Sequence, residues 1–215
     1  MQWQRARRPE QKEVRRETIL EAAGELFDEL GLDQVSLSEI ARRAEVSKAN
    51  IYRYFENREE IFLHLLLAEQ IEWVDEVERR LAPLAESGDI ETLAAQLSES
   101  LTARPRLAAL LASAQSVLER TVSVDAIVRF KRPMLDRAVR LANSIHAALP
   151  GLSIAKVQRF ISLMHFVLIG IWPSAHPPAP LAEAMRRPEI GLPCVDYEAD
   201  LREAMVVLLR GLRAS

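Results

Sequence analysis

The chain has 215 residues, 49% hydrophobic and 27% charged, with 28 Lys and Arg against 31 Asp and Glu for a net charge of −3. That balance excludes a largely disordered chain, and any contact with a polyanion must come from a local patch rather than from bulk charge. Cys194 is the one cysteine, so neither an internal disulfide nor a Cys-rich metal site can form, which suits a reducing cytoplasm.

Residues 1 to 16 carry six basic side chains (Arg5, Arg7, Arg8, Lys12, Arg15, Arg16) against two acidic ones, with no apolar core behind them. This start is no secretory signal. It reads equally as a flexible arm along a phosphate backbone or as a solvated tail. From Arg16 onward Ile19, Ala22, Ala23, Leu26, Phe27 and Leu30 share one helical face, and Gly31 supplies a left-handed stop. Ser36-Leu-Ser-Glu39 is a capping box that opens a short helix to Ala44. Ser47 caps a second short helix over Lys48 to Phe55. Asn57-Arg-Glu-Glu60 is a third cap and opens a long fourth helix through Ile61, Leu65, Trp73, Val77 and Leu81.

Further helices are expected at 90–103, 105–120 with Pro105 in its first turn, 124–149 with a kink at Pro133, 154–172, and 196–212. Residues 173 to 195 hold six of the eleven prolines and read as a loop with one short helix at 181–187. The seven glycines are widely separated, so no phosphate-cradling loop or dinucleotide fingerprint can be drawn. The longest apolar run, Phe160 to Trp172, is 13 residues, short of the roughly 20 that span a bilayer, so no membrane span is expected. The fold class expected is all-α: a helix-turn-helix domain of three N-terminal helices at 1–58 with its basic arm, and a larger helical domain at 59–215.

Residues 36 to 55 have the form of a helix-turn-helix. Ile51 and Phe55 fall on one face of the second short helix, so they belong to the core, whereas Ala49 and Arg53 point away beside Asn50 and Tyr52. Nine residues at about 1.5 Å rise span roughly 13 Å, close to the ~12 Å width of a DNA major groove. Roles then separate by chemistry. Ser36, Ser47 and Lys48, with the positive ends of the helices, suit phosphate, and Asn50 and Arg53 carry donors that read base edges. Tyr52, Tyr54 and Arg58 suit phosphate at the groove walls.

The run AAGELFDELGLDQVSLSEIARRAEVSKANIYRYFENREEIF, within Thr18 to Leu65, resembles the N-terminal domain of the tetracycline-repressor (TetR) family of bacterial regulators. Its landmarks are Ala22-Ala23, Phe27, Gly31, Ile40-Ala41, Val46-Ser47-Lys48, and Tyr52 to Phe55 followed by Arg58-Glu59. One departure stands in the turn, where the family commonly has glycine and this chain has Glu45; a side chain at positive φ there costs about 1 kcal/mol.

The resemblance implies a repressor that binds a palindromic double-stranded DNA operator as a homodimer and is released by a small-molecule effector, with no cofactor. It also implies that the C-terminal helices form the dimer interface and an effector cavity. The residues lend their own support. The helix 154–172 is apolar almost all round, and Leu201, Met205, Leu208 and Leu212 form one stripe; with Ile161, Leu168 and Trp172 they are the candidate interface. By their pattern alone they could instead finish the core of a single chain; the resemblance favours the dimer. For a pocket the candidates are Gln115, which follows Leu107 and Leu111 at four-residue steps, Asn143 behind Leu135 and Val139, His165 in its apolar run, and Trp73 as an aromatic wall.

An enzyme is not expected. His64, His146, His165 and His176 are scattered, no Gly-x-Ser-x-Gly elbow exists, and no metal-ligand spacing appears. The alternative reading is an architectural or cell-cycle DNA-binding factor of the same fold, controlled by a protein partner.

Overall fold

Long runs of Ala, Leu, Glu, Gln and Arg favour helix, and in the computed structural model helices are the regular structure throughout the described residues, 3–191 and 195–215. Side chains are described from Gln11, so Cys194 and the side chains of Arg5, Arg7 and Arg8 lie outside them. The helices are α1 (Trp3–Leu30), α2 (Leu37–Arg43), α3 (Lys48–Ile51), α4 (Arg58–Leu81), α5 (Ile90–Thr102), α6 (Pro105–Ala114), α7 (Val124–Ala148), α8 (Ile154–Ala175), α9 (Ala179–Met185) and α10 (Tyr197–Ala214). The basic start is therefore helical rather than a flexible arm. Gln, Arg, Lys and Glu are good helix formers, and extending an existing helix costs far less than nucleating one.

The chain divides into two compact units, Met1–Ala68 with Ala114–Phe130, and Glu69–Ser113 with Lys131–Ser215. The division does not fall at residue 58. The first turns of α4 bring Ile61, Phe62, Leu63, Leu65 and Leu66 into the first core, where Phe62 meets Phe27 with ring centres 5.9 Å apart. In the same unit Asn57 donates to the Thr121 carbonyl at 2.8 Å, and Ser123 donates through its Oγ to Glu56 at 2.7 Å. Arg129 donates to Glu60 at 2.9 Å. Glu60 is almost fully buried; that cation and the Glu56 backbone N–H at 2.6 Å supply the partners a buried carboxylate requires.

The caps form at the residues that announced them. Ser36 Oγ accepts from the Glu39 N–H at 3.2 Å while the Ser36 N–H donates to the Glu39 carboxylate at 2.7 Å. Those bonds hold the Glu39 carboxyl below its ordinary pKa. Ser47 Oγ accepts from the Asn50 N–H at 3.2 Å. Between the two helices the chain closes a Schellman motif: the Val46 N–H reaches the Ala41 carbonyl at 2.9 Å, the Glu45 N–H reaches that of Arg42 at 3.3 Å, and Glu45 sits at φ +52°. Arg43 at the end of α2 bridges to Glu25 at 3.0 Å and to Glu29 at 2.6 Å, tying α2 to α1.

In the second unit α10 packs on α5 and α8, with Leu201, Met205 and Leu209 buried. From α8 only Val157, Phe160, Met164 and Leu168 are buried, one stripe at spacings of three and four. Within the chain itself 22% of its most apolar stretch is buried, so the helix is not buried all round by its own chain. Counted over its full 22 residues, α8 is also long and apolar enough to cross a membrane by length and composition, which the 13-residue run had understated. Helix α7 continues through Pro133, and α6 stops at Ala114 rather than Arg120.

Candidate nucleic-acid interface and interior cavity

Ile51 and Phe55, both buried, anchor the segment that begins at Ser47. Regular helix covers only Lys48–Ile51; the chain then continues as a tight turn in which the Tyr54 N–H reaches the Ile51 carbonyl at 2.9 Å and the Phe55 N–H reaches the same oxygen at 3.1 Å. The helix expected to Phe55 is therefore shorter and ends in a tighter turn, with Ile51 and Phe55 both in the core. Around that anchor Ser47, Lys48, Ala49, Tyr52 and Arg53 are exposed, and Asn50 and Tyr54 are half-buried.

Lys12 and Arg15 of α1 line one open depression together with Asn50, Arg53 and Tyr54. Both residues belong to the basic start, but only the fold reveals that they join the second helix of the motif in one surface. Two other expected members do not join it. Ser36 is occupied by its capping box, and Arg58 donates to the Val35 carbonyl at 2.8 Å and to the Leu32 carbonyl at 3.3 Å, and pairs with Glu59 at 2.9 Å. Its guanidinium ties the chain before α2 to the start of α4 instead of facing out with Arg53.

Behind the surface Arg16 donates to His64 Nδ1 at 2.7 Å and stacks over Phe55, 5.6 Å from the ring centre. His64 meets Phe55 edge-on at 5.5 Å. Burial first, then the Arg16 charge, lower the pKa of His64 to about 4, so the ring is neutral and accepts from Arg16.

The second unit holds a cavity of about 210 Å³ between α4, α6, α7 and α8. Trp73, Leu111 and His165 line it, as do Ile161 and Leu168, which had been read as interface residues. Trp73 donates from Nε1 to Ser100 Oγ at 3.0 Å, which fixes its indole as a wall. Gln115 and Asn143 are corrected: both are exposed and outside the cavity. The end of α6 at Ala114 breaks the four-residue stepping to Gln115, and Leu135 and Val139, 60% and 53% exposed, show that the stripe leading to Asn143 faces outward.

The residues missed are Gln70 and Arg137. Each carries a buried polar atom, Gln70 Oε1 and Arg137 Nε, with no hydrogen-bond partner. The signal was present in the pattern. Gln70 stands three before Trp73, and Arg137 three after Met134 and four before Leu141, so each places a polar group on an apolar stripe.

The candidate interface residues are redistributed too. Leu168, Leu201 and Met205 are buried within the protomer and cannot face a partner, while Ile161, Trp172, Leu208 and Leu212 are half-buried. Trp172 is stacked on His176 with ring centres 3.8 Å apart and meets Tyr197 edge-on at 5.1 Å. Large apolar residues left outward are Ile154 and Phe166 on α8, the latter 59% exposed, and Val207 on α10, 61% exposed. Residues 205–209 are all apolar, so periodicity alone did not distinguish the inward stripe from the outward one.

Residues 67–215 match the family described as "Tetracyclin repressor-like, C-terminal domain", and residues 19–65 match "Bacterial regulatory proteins, tetR family". The uncharacterized HTH-type transcriptional regulator YdeS of Bacillus subtilis (strain 168) is 37% identical over 90 residues, covering 40% of this chain and 41% of that protein. The HTH-type transcriptional regulator QacR of Staphylococcus aureus (strain Mu50 / ATCC 700699) is 34% identical over 61 residues, 28% of this chain and 32% of that one. The matched segments thus span about a third to two-fifths of the curated relatives' lengths. A solved transcriptional regulator of Rhodococcus sp. Rha1 shares the fold at a TM-score of 0.56, with 22% identity over 92% of this chain and 97% of that one.

Proposed function

Because the chain belongs to the tetracycline-repressor family of bacterial regulatory proteins, we propose that it is a cytoplasmic repressor, without catalytic activity, that binds a palindromic DNA operator as a homodimer and leaves it when a small molecule occupies the cavity. The observation that carries this reading is the face of Lys48, Ala49, Tyr52 and Arg53, turned outward by the buried pair Ile51 and Phe55. Lys48 supplies charge for phosphate; Asn50 and Arg53 supply the donors and acceptors that distinguish base edges. Lys12 and Arg15 extend the positive surface along α1, so a chain of net negative charge still offers one face to a polyanion.

The homodimer reading rests on α8 and α10, whose outward Phe166 and Val207 would be covered by a second copy rather than by lipid. His64, His146 and His176 favour a non-catalytic reading, since each ring is held by a local partner: Arg16, the Leu152 carbonyl and the Trp172 carbonyl.

The test is selection of duplexes from fragmented genomic DNA of the source organism, followed by gel retardation and light scattering. A two-fold symmetric site bound by two protomers is expected, and Phe166→Asp should yield a folded monomer with greatly weakened binding. Absence of retardation at low salt, or an asymmetric site bound by one protomer, overturns the proposal.

A further inference from the structure

The cavity also specifies a chemistry for its ligand. Its about 210 Å³ compares with the ~150 Å³ that accommodates benzene in an apolar protein cavity, so it takes a single ring with one or two substituents. The walls are apolar and ring-accepting: the fixed Trp73 indole on one side and the thioethers of Met134 and Met164 on others. No Asp or Glu is among the described lining residues, and Arg137 is. A lipophilic cation would lose its water there with a guanidinium nearby and no carboxylate to replace the lost hydration, whereas an anion would gain a charge-assisted partner. The two unsatisfied atoms have opposite needs: Arg137 Nε–H lacks an acceptor and Gln70 Oε1 lacks a donor.

Resting on the regulator reading above, we propose that the effector is a small hydroxylated aromatic monocarboxylate, its carboxylate on Arg137 and its hydroxyl donating to Gln70. The ring fills the space between Trp73 and the methionines. A single charge and a single donor complete both orphaned atoms; a plain hydrocarbon completes neither, a cation offers Arg137 no acceptor, and an amide offers it only a neutral one.

The probe is 4-hydroxybenzoate, titrated calorimetrically into the full chain beside benzoate, 4-hydroxybenzamide, octanoate and benzyltrimethylammonium. One molecule per protomer is expected, with 4-hydroxybenzoate bound about tenfold or more tighter than the amide, since a charged hydrogen bond is at stake, and tighter than the other probes. Arg137→Gln should erase the preference for carboxylate over amide, and Gln70→Leu should erase the preference for 4-hydroxybenzoate over benzoate. Should Arg137→Gln fail to fold by circular dichroism, the wild-type ranking and Gln70→Leu still decide.

Equal binding of carboxylate and amide, tighter binding of the cation or of octanoate, or no binding by any probe overturns the ligand class. Gel retardation of the unliganded protein is read separately. Protein that retards DNA but prefers the cation loses the ligand class alone, and protein that binds 4-hydroxybenzoate yet retards no DNA keeps the ligand class while the regulator reading fails.

Discussion

The two compact units put their polar groups to opposite uses. In the first, the core around Ile19, Leu26, Phe27, Ile51 and Phe62 is closed, and the exposed polar groups of Lys48 and Arg53 are turned to solvent. In the second, Gln70 and Arg137, which help line a cavity, each hold a polar atom buried without a partner. A surface that meets a polyanion can stay hydrated until its partner arrives, whereas a buried donor or acceptor without a partner costs about 1 to 3 kcal/mol at all times. Rigidity serves the first unit, and an energetic defect serves the second.

The sharpest way to break that contrast is to open the first core. Phe62→Ala should destabilise the protein by about 3 to 5 kcal/mol, since the ring is fully buried against Phe27 and its loss leaves a hole, and chemical denaturation measures it. A cost under about 1 kcal/mol would mean that the first unit is no better packed than the second.

His64 probes the same unit through pH. Its folded pKa of about 4 lies below the unfolded value of 6.5, so the folded form resists protonation. The stability it contributes is present above pH 6.5 and is lost as the pH falls toward about 4, on the order of 3 kcal/mol over that window. Denaturation midpoints measured from pH 7 to 5 should fall for the wild type, and His64→Gln should flatten them; parallel curves would contradict the burial of a neutral imidazole.

In the second unit the expected sign reverses. Ala138 lines the cavity, so Ala138→Leu should raise stability by roughly 0.5 to 2 kcal/mol while abolishing ligand binding, a trade read by thermal denaturation with and without 4-hydroxybenzoate. The smallest effect belongs to the turn. Glu45→Gly relieves the positive φ but frees the unfolded chain, for a net gain below about 1 kcal/mol.

Legibility in the sequence follows the same divide. Ser36, Glu39, Ser47, Ile51 and Phe55 act through neighbours three or four residues away, so spacing alone located the caps, the turn and the anchored face. Arg58 escaped such reasoning because its partners, the Leu32 and Val35 carbonyls, are more than twenty residues away in the chain. In α10 the stripe was visible but its inward sense was not, and Gln115 was lost to a helix that ended one residue before it. Arg137 was legible in principle, as a charge on an apolar stripe, but its significance depends on a cavity bounded by four helices.

The central claim is that the segment after Ser47 is displayed outward to read duplex DNA. Fluorescence anisotropy on a selected operator and on a scrambled duplex, across a salt series, tests it with wild type, Lys48→Ala and Arg53→Ala. Lys48→Ala should weaken both duplexes alike and reduce the salt slope by about one, and Arg53→Ala should cost roughly ten- to hundredfold on the operator while sparing the scrambled duplex. Equal losses on both duplexes for both variants, or no wild-type binding even at low salt, would contradict it.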